Sequence, residues 1–181
     1  MAKVLIPLAD GCEELEAVTI IDLLRRAGIA VTTAGLKPGI VKASRGVQLV
    51  PDVTLDVALQ DRYDMVVLPG GMPGATHLKD DPRILGLVKQ MAADGRYTAA
   101  ICAAPMVLAE AGVLAGKRAT SYPGFLDGLP GVKVSAEAVV QDGTVLTSRG
   151  PGTAMDFALA LIEALAGRAK RDEVEAGLVR P

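Results

Sequence analysis

The stretch Tyr97-Thr98-Ala99-Ala100-Ile101-Cys102-Ala103-Ala104-Pro105-Met106-Val107-Leu108 changes character at its midpoint. It begins as a short apolar run of strand type and continues as a helix. Pro105 sits in the first turn, where its missing N–H has no intrahelical partner to lose. Cys102 falls on the corner between the two. There it lies at the positive end of the helix dipole and beside unpaired backbone N–H groups, both of which favour thiolate over thiol. A strand running directly into a helix, with a nucleophilic side chain at the junction, has the geometry of a nucleophile elbow carrying cysteine in place of serine.

Outward from this corner the chain alternates between strand and helix. Lys3 to Leu8 reads as a buried strand, followed by a helix with Ala17, Ile20, Ile21, Leu24 and Ala27 on one stripe, ended by Gly28. Ala30 to Leu36 is a second strand, and two short irregular strands are expected around Val41 to Val53. Asp64 to Leu68 is a third strand of parallel type. Asp81 caps a helix with Pro82 at its first position and Ile84, Leu87, Val88 and Met91 inward. From Lys117 onward turn signals at Pro123-Gly124, Pro130-Gly131 and Asp142-Gly143 predict an antiparallel hairpin flanking the sheet, with Val145 to Ser148 as the last strand. The final long helix carries Ala154, Phe157, Ala158, Leu161, Ile162 and Leu165 inward, with Thr153 as its cap; the tail from Arg168 to Pro181 has room for one more short helix. No linker, repeat or low-complexity segment interrupts the pattern, so residues 1–181 read as one α/β sandwich domain.

Composition narrows the function classes. Half of the 181 residues are apolar while 3% are aromatic, so the core is built from Val, Leu, Ile and Ala, the usual filling of a parallel sheet covered on both faces. Nineteen basic and 21 acidic residues are interspersed, giving a net charge of −2 and no basic footprint for nucleic acid or anionic lipid. No apolar stretch approaches membrane-spanning length and no signal sequence is legible, so a cytoplasmic protein without membrane contact is expected. Two cysteines, Cys12 and Cys102, build neither a disulfide framework nor a closed zinc site; no metal is expected.

Open parallel sheets bind ligands at the carboxyl ends of their strands. Ala9 to Glu16 after the first strand, Pro69-Gly70-Gly71-Met72-Pro73-Gly74 after the third, and Cys102 all fall there and are expected to converge. The N–H groups of Gly70 and Gly71 are free to face a developing oxyanion, although a Gly-Gly pair also reads as a tight turn. Glu13, Glu14 and Glu16 occupy a first helical turn, where complementing the dipole accounts for all three. Glu16, between Leu15 and Ala17, is nevertheless placed to face inward, where desolvation would keep it protonated, able to donate a hydrogen bond to a thiolate and to shuttle a proton.

Glu-Glu-Leu-Glu at 13–16, Val-Leu-Pro-Gly-Gly at 67–71, Ala-Ala-Ile-Cys-Ala-Ala-Pro at 99–105 and Leu-Thr-Ser-Arg-Gly-Pro-Gly-Thr at 146–153 together resemble the ThiJ/PfpI superfamily, and within it the parkinsonism-associated deglycase (DJ-one) branch. The resemblance covers nearly the whole chain in order. It implies a flavodoxin-like three-layer sandwich, mainly parallel, of the class I glutamine amidotransferase-like type, assembled as a homodimer. It implies that Cys102 is the reactive cysteine in a strained backbone conformation, that Glu16 is its protonated carboxyl partner, and that the N–H groups of Gly71 and Ala103 bind the oxidised sulfur or substrate oxygen. Arg26 and Arg45 match arginines near the interface and pocket mouth.

The chain departs from that pattern in places. Tyr122-Pro123 stands where many relatives carry His-Pro, leaving Tyr122 a pocket candidate in place of a base, and Ala103 stands where a protease-like branch has histidine. His77 matches no family catalytic position and reads as a surface residue; Cys12 reads as a bystander thiol. A Cys-His relay, and with it peptidase activity, is not expected. Ser148-Arg149-Gly150-Pro151-Gly152 lacks the Walker lysine and reads as a turn. The resemblance implies a cofactor-free, glutathione-independent glyoxalase or deglycase, a hydrolase acting on methylglyoxal, glyoxal or their early adducts on protein or nucleotides in carbonyl and oxidative stress defence. The alternative is a peroxide sensor or redox-regulated chaperone that oxidises Cys102 to sulfinic acid.

Overall fold

The computed structural model describes residues 1–180. The first half of the chain runs through β1 (Lys3–Leu8), α1 (Glu14–Arg26), β2 (Ala30–Gly35), β3 (Val41–Lys42), β4 (Gln48–Leu49), β5 (Val53–Thr54), α2 (Leu55–Ala58), β6 (Met65–Leu68), α3 (Gly74–Asp80) and α4 (Pro82–Ala93). The second half adds β7 (Tyr97–Ile101), α5 (Pro105–Glu110), β8 (Arg118–Ala119), β9 (Lys133–Val134), β10 (Val139–Asp142), β11 (Val145–Ser148), α6 (Ala154–Ala166) and α7 (Arg168–Ala176).

Seven strands form one sheet in the order β10-β11-β7-β6-β1-β2-β5. Every neighbouring pair is parallel except β10 and β11, the expected hairpin through Asp142-Gly143 at the sheet edge. Strand alternation sends successive side chains to opposite faces, and each face is apolar. Val4, Ile6, Met65, Val67, Ala99 and Ile101 join Ile20 and Leu24 of α1 and Phe157, Leu161 and Ile162 of α6. Leu5, Val66, Leu68 and Ala100 join Ile84, Val88 and Met91 of α4 and Val107 and Leu108 of α5. The result is a three-layer sandwich with helices on both faces of a mostly parallel sheet.

Register brings the site together. Val4 lies beside Met65, Met65 beside Tyr97 and Leu68 beside Ala100, so the chain leaves β1, β6 and β7 at one end of the sheet. Helix α4 starts as its sequence predicts: the Asp81 carboxylate accepts from Arg83 N–H at 2.9 Å, and Pro82 follows. At α6 the expectation fails in detail, because Thr153 makes no side-chain cap bond to that helix. Its hydroxyl instead donates to Gly150 C=O and accepts Gly150 N–H, holding the turn after β11. Helix α3 lacks a helical signature in the sequence: within Gly74–Asp80 only Gly74, Ala75 and Leu78 are buried.

Candidate active site

Cys102 follows the last residue of β7 with φ +64°, in the left-handed region that a residue bearing Cβ enters at a cost of about 1–2 kcal/mol. Three backbone bonds hold it there. Its N–H donates to Ser148 C=O at 3.0 Å, its C=O accepts Tyr122 N–H at 2.8 Å, and Ala104 N–H closes the corner onto Ile101 C=O at 3.0 Å. The side chain, 9% exposed, lines a cavity of about 280 Å³ together with Glu13, Ser44, Arg45, Gly71, Met72, Ala103, Tyr122, Phe125 and Pro151.

Glu16 projects from the first turn of α1 and is wholly buried. Oε2 accepts Gly70 N–H at 2.8 Å, while Oε1 is buried without a hydrogen-bond partner. Burial pushes this carboxyl up to about 7, against the lowering pull of Gly70 N–H and of the Cys102 side chain beside it. The cysteine answers to the same neighbours. Burial first, then the charge of an ionised Glu16 and the hydrogen bond with it, push the Cys102 thiol up to about 12, whereas the N–H groups of Gly71 and Ala103 pull it down. The dipole expected to favour thiolate is small here, since α5 spans six residues. The balance therefore depends on Glu16. If the proton sits on the carboxyl, the repulsion disappears and the two N–H groups act unopposed.

The Gly70-Gly71 pair divides its work. Gly70 N–H is committed to Glu16, so Gly70 is not an oxyanion donor, contrary to the sequence expectation; a Cβ there would lie 2.6 Å from Cys102 Cβ and 2.8 Å from Glu16 Oε2. Gly71, at φ +87°, turns the chain so that its N–H reaches the sulfur, and a Cβ on it would lie 2.3 Å from Glu13 N.

The first turn of α1 does more than complement the dipole. Glu14, 9% exposed, accepts Arg45 N–H at 2.8 Å, Val47 N–H at 3.4 Å and Ser44 O–H at 3.0 Å, and Glu13 Oε2 lies 2.9 Å from the same hydroxyl. These bonds fasten the turn between β3 and β4 over the cavity and bring Arg45 to its mouth. Burial raises the Glu14 carboxyl, but its own N–H, Ser44 and the N–H groups of Arg45 and Val47 together hold it below the ordinary carboxylate range. No local pattern links Glu14 to a serine 30 residues away, so this network was not legible in the sequence.

Arg45 and Tyr122 line the cavity; Arg26 does not. Ten residues beyond Glu16 on α1, Arg26 lies about 15 Å further along the helix axis, exposed and paired with Asp22 at 2.9 Å. His77 is exposed on α3 with Nδ1 2.8 Å from Asp10 C=O, away from this cavity. Cys12 is wholly buried, and burial followed by the charge of Glu14 pushes its thiol up to about 12. Among the described residues no group of three or more His, Cys, Asp or Glu side chains is arranged to hold a metal, and no helix is long and apolar enough to cross a membrane.

A mostly parallel α/β sandwich with a cysteine on a left-handed corner, facing a buried carboxyl at the strand ends, defines a class of cysteine-centred proteins. The chain belongs to the DJ-1/PfpI family, whose profile matches residues 2–164. It is 47% identical to protein dj-1beta of Drosophila melanogaster over 97% of this chain and 95% of that protein. It is 37% identical to the glutathione-independent glyoxalase DJR-1.2 of Caenorhabditis elegans over 96% and 92%. The crystal structure of Drosophila DJ-1beta superposes with a TM-score of 0.96 at 45% identity, covering 99% of this chain and 98% of that one. Oxidized DJ-1 of Toxoplasma gondii gives 0.95 at 40% identity, covering 99% and 98%.

Proposed function

We propose that this protein is a cysteine-dependent, cofactor-free glyoxalase/deglycase for methylglyoxal, glyoxal or their early adducts on protein or nucleotides, working in the cytoplasm as a homodimer of single-domain chains. The observation that carries this reading is the pairing of Cys102 with a buried, half-satisfied Glu16. An anion on the carboxylate has Gly70 N–H and, as a weaker second donor, the Cys102 S–H. An anion on the sulfur has Gly71 N–H and Ala103 N–H, and gains a third donor if Glu16 carries the proton. The sulfur anion thus has three donors against the carboxylate's two, one of which is a weak S–H, so the donor count favours thiolate with carboxylic acid.

The reaction follows from that state. Cys102 Sγ forms a bond to the aldehyde carbon of methylglyoxal, and the carbonyl oxygen takes a proton from Glu16 to give a hemithioacetal. The Glu16 carboxylate then removes the hydrogen from that carbon and delivers a proton to the neighbouring one through an enediol, leaving a lactoyl thioester. The N–H groups of Gly71 and Ala103 stabilise the oxyanion formed when water attacks the thioester. Lactate leaves and the thiolate returns, so methylglyoxal plus water becomes lactate with no external oxidant or reductant. The glyoxalase name of the Caenorhabditis elegans relative supports this reading at family level.

A second reading is favoured by the two N–H groups at the sulfur and by the oxidized state of the Toxoplasma gondii relative. One peroxide converts thiolate to sulfenate with release of water, and a second gives sulfinate, whose oxygens those donors and Glu16 would hold in a sensor or redox-regulated chaperone. Lactate formed from methylglyoxal without glutathione separates the two. Many turnovers in wild type, lost in Cys102→Ser and Glu16→Gln, support the enzyme; one equivalent of adduct without lactate refutes it and leaves the sensor.

A further inference from the structure

The Cys102 cavity shares one wall with a second cavity. This second cavity is an apolar groove of about 380 Å³, lined by Met106 and Ala109 of α5 and by Leu114, Leu129 and Val132, with Lys79 and Glu110 as its charged lining residues. Phe125 is the one residue that lines both.

The position of Phe125 is held from both sides. Tyr122 N–H donates to Cys102 C=O at 2.8 Å, which ties the start of the segment to the reactive corner, and Phe125 N–H turns back onto Tyr122 C=O at 3.2 Å. The next residue, Leu126, is fully buried. The Phe125 ring meets the Tyr122 ring edge-on, with centroids 6.3 Å apart and an interplanar angle of 78°, a favourable arrangement for two aromatic side chains. Phe125 is thus the residue common to the catalytic pocket and the apolar groove, on a segment tied to the reactive corner.

We propose that Phe125 is the specificity-determining residue of this pocket. Its ring closes the Cys102 cavity against an apolar subsite that fits the non-reacting aryl or branched-alkyl group of a larger α-ketoaldehyde, and so biases the protein toward small dicarbonyls. The inference rests on the glyoxalase reading for its substrate class, and on continuity of the two cavities through one side chain for its location. A hydrophobic pocket discriminates a single methylene by about 10-fold to 200-fold, so joining the groove to the pocket has a readable effect.

The test compares wild type, Phe125→Leu and Phe125→Ala. The ratio of kcat/KM for phenylglyoxal, read as mandelate, to that for methylglyoxal, read as lactate, is expected to rise at least about tenfold in Phe125→Ala, with Phe125→Leu between the two; tenfold corresponds to about 1.4 kcal/mol. The leucine variant keeps most of the side-chain volume and carries the test if the alanine variant does not fold. A second readout needs no turnover: the ratio of Cys102 alkylation rates by N-benzyl iodoacetamide and iodoacetamide, followed by mass spectrometry, is expected to rise in the same order. A shifted alkylation ratio in proteins that make neither hydroxy acid would sustain the partition and overturn the glyoxalase reading. Turnover with both ratios unchanged would overturn the partition.

Discussion

Gly70→Ala is the perturbation whose effect is most directly computable from the site. The added Cβ would lie 2.6 Å from Cys102 Cβ and 2.8 Å from both Glu16 Oε2 and Ile101 O, where ordinary contact begins at 3.4 Å. At least 0.8 Å of separation must therefore open, and the neighbours resist: Ile101 O belongs to β7, Cys102 is held at φ +64°, and Glu16 is fully enclosed. Overpacking of this kind costs about 1–3 kcal/mol. Pushing Glu16 away also breaks its bond from Gly70 N–H and leaves a second oxygen bare, for about 1–3 kcal/mol more. A domain of this size loses about 2–4 °C in Tm per kcal/mol, so the combined cost of about 2–6 kcal/mol is expected to lower Tm by about 4–24 °C by calorimetry. Iodoacetamide labelling of Cys102 should change with it, because sulfur and carboxyl no longer share their geometry. Gly86→Ala is the control: an exposed position inside α4 with nothing within 4 Å of the new Cβ, where removing a helical glycine should stabilise by about 0.5–1 kcal/mol. A Gly70→Ala protein with wild-type Tm and wild-type labelling would refute the packing argument.

Three further outcomes are expected. Glu14→Gln keeps Oε1, the acceptor of Arg45 and Val47 N–H, but removes the charge that strengthens those bonds and puts an amide nitrogen where Oε2 accepts from the Ser44 hydroxyl, so hydrogen-exchange protection at Arg45 and Val47 should fall and stability should drop by about 1 kcal/mol. Because the folded Glu14 pKa is depressed, that contribution is present above the unfolded value of about 4.3 and is lost as pH falls through the folded value; the variant and wild type should converge in acid. Glu16 has the opposite sign. Burial raises its folded pKa, so the unfolded chain loses this proton first; its contribution is greatest below about pH 4.3 and declines as pH rises toward the folded value, and Glu16→Gln should remove that slope from denaturant-derived stability. Asp81→Ala removes the α4 cap and the partner of Arg83, at 2.9 Å and 2.6 Å, and should lower stability by about 1–2 kcal/mol near neutral pH by chemical denaturation, an effect that shrinks below about pH 4.

The layers of the fold were legible because parallel strands buried on both faces appear as short apolar runs and the helices between them keep a single stripe. The residues 97–108 carried most of that reading, and the left-handed corner at Cys102 lies where strand and helix patterns meet. Glu16 was legible mainly through the family resemblance, since its flanking residues are a poor guide: Leu15 beside it is 51% exposed while Glu16 is wholly buried. What escaped is what depends on direction or on contacts distant in sequence. Two adjacent glycines look alike in sequence, yet Gly70 N–H points to Glu16 and Gly71 N–H to the sulfur. Arg26 shares a helix with Glu16, but ten residues along the axis carry it out of reach. The Glu14–Ser44 bond and the partition at Phe125 join segments that no periodicity connects, and α3 hid because a seven-residue helix with three buried positions has almost no stripe to read.

The central claim is that the proton shared by Glu16 and Cys102 rests on the carboxyl and leaves the charge on sulfur. Thiolate absorbance at 240 nm, followed against pH in wild type and in Glu16→Gln, tests it directly. Both proteins carry Cys12→Ser, so that the absorbance reports Cys102 alone. The account predicts one thiolate forming well below the free-thiol value of about 8.5 in wild type, and at higher pH in Glu16→Gln, where a neutral amide N–H is a weaker donor than a carboxyl O–H. Absence of thiolate until above about pH 10 would contradict it, placing the charge on Glu16 and leaving Cys102 a protonated, inert thiol.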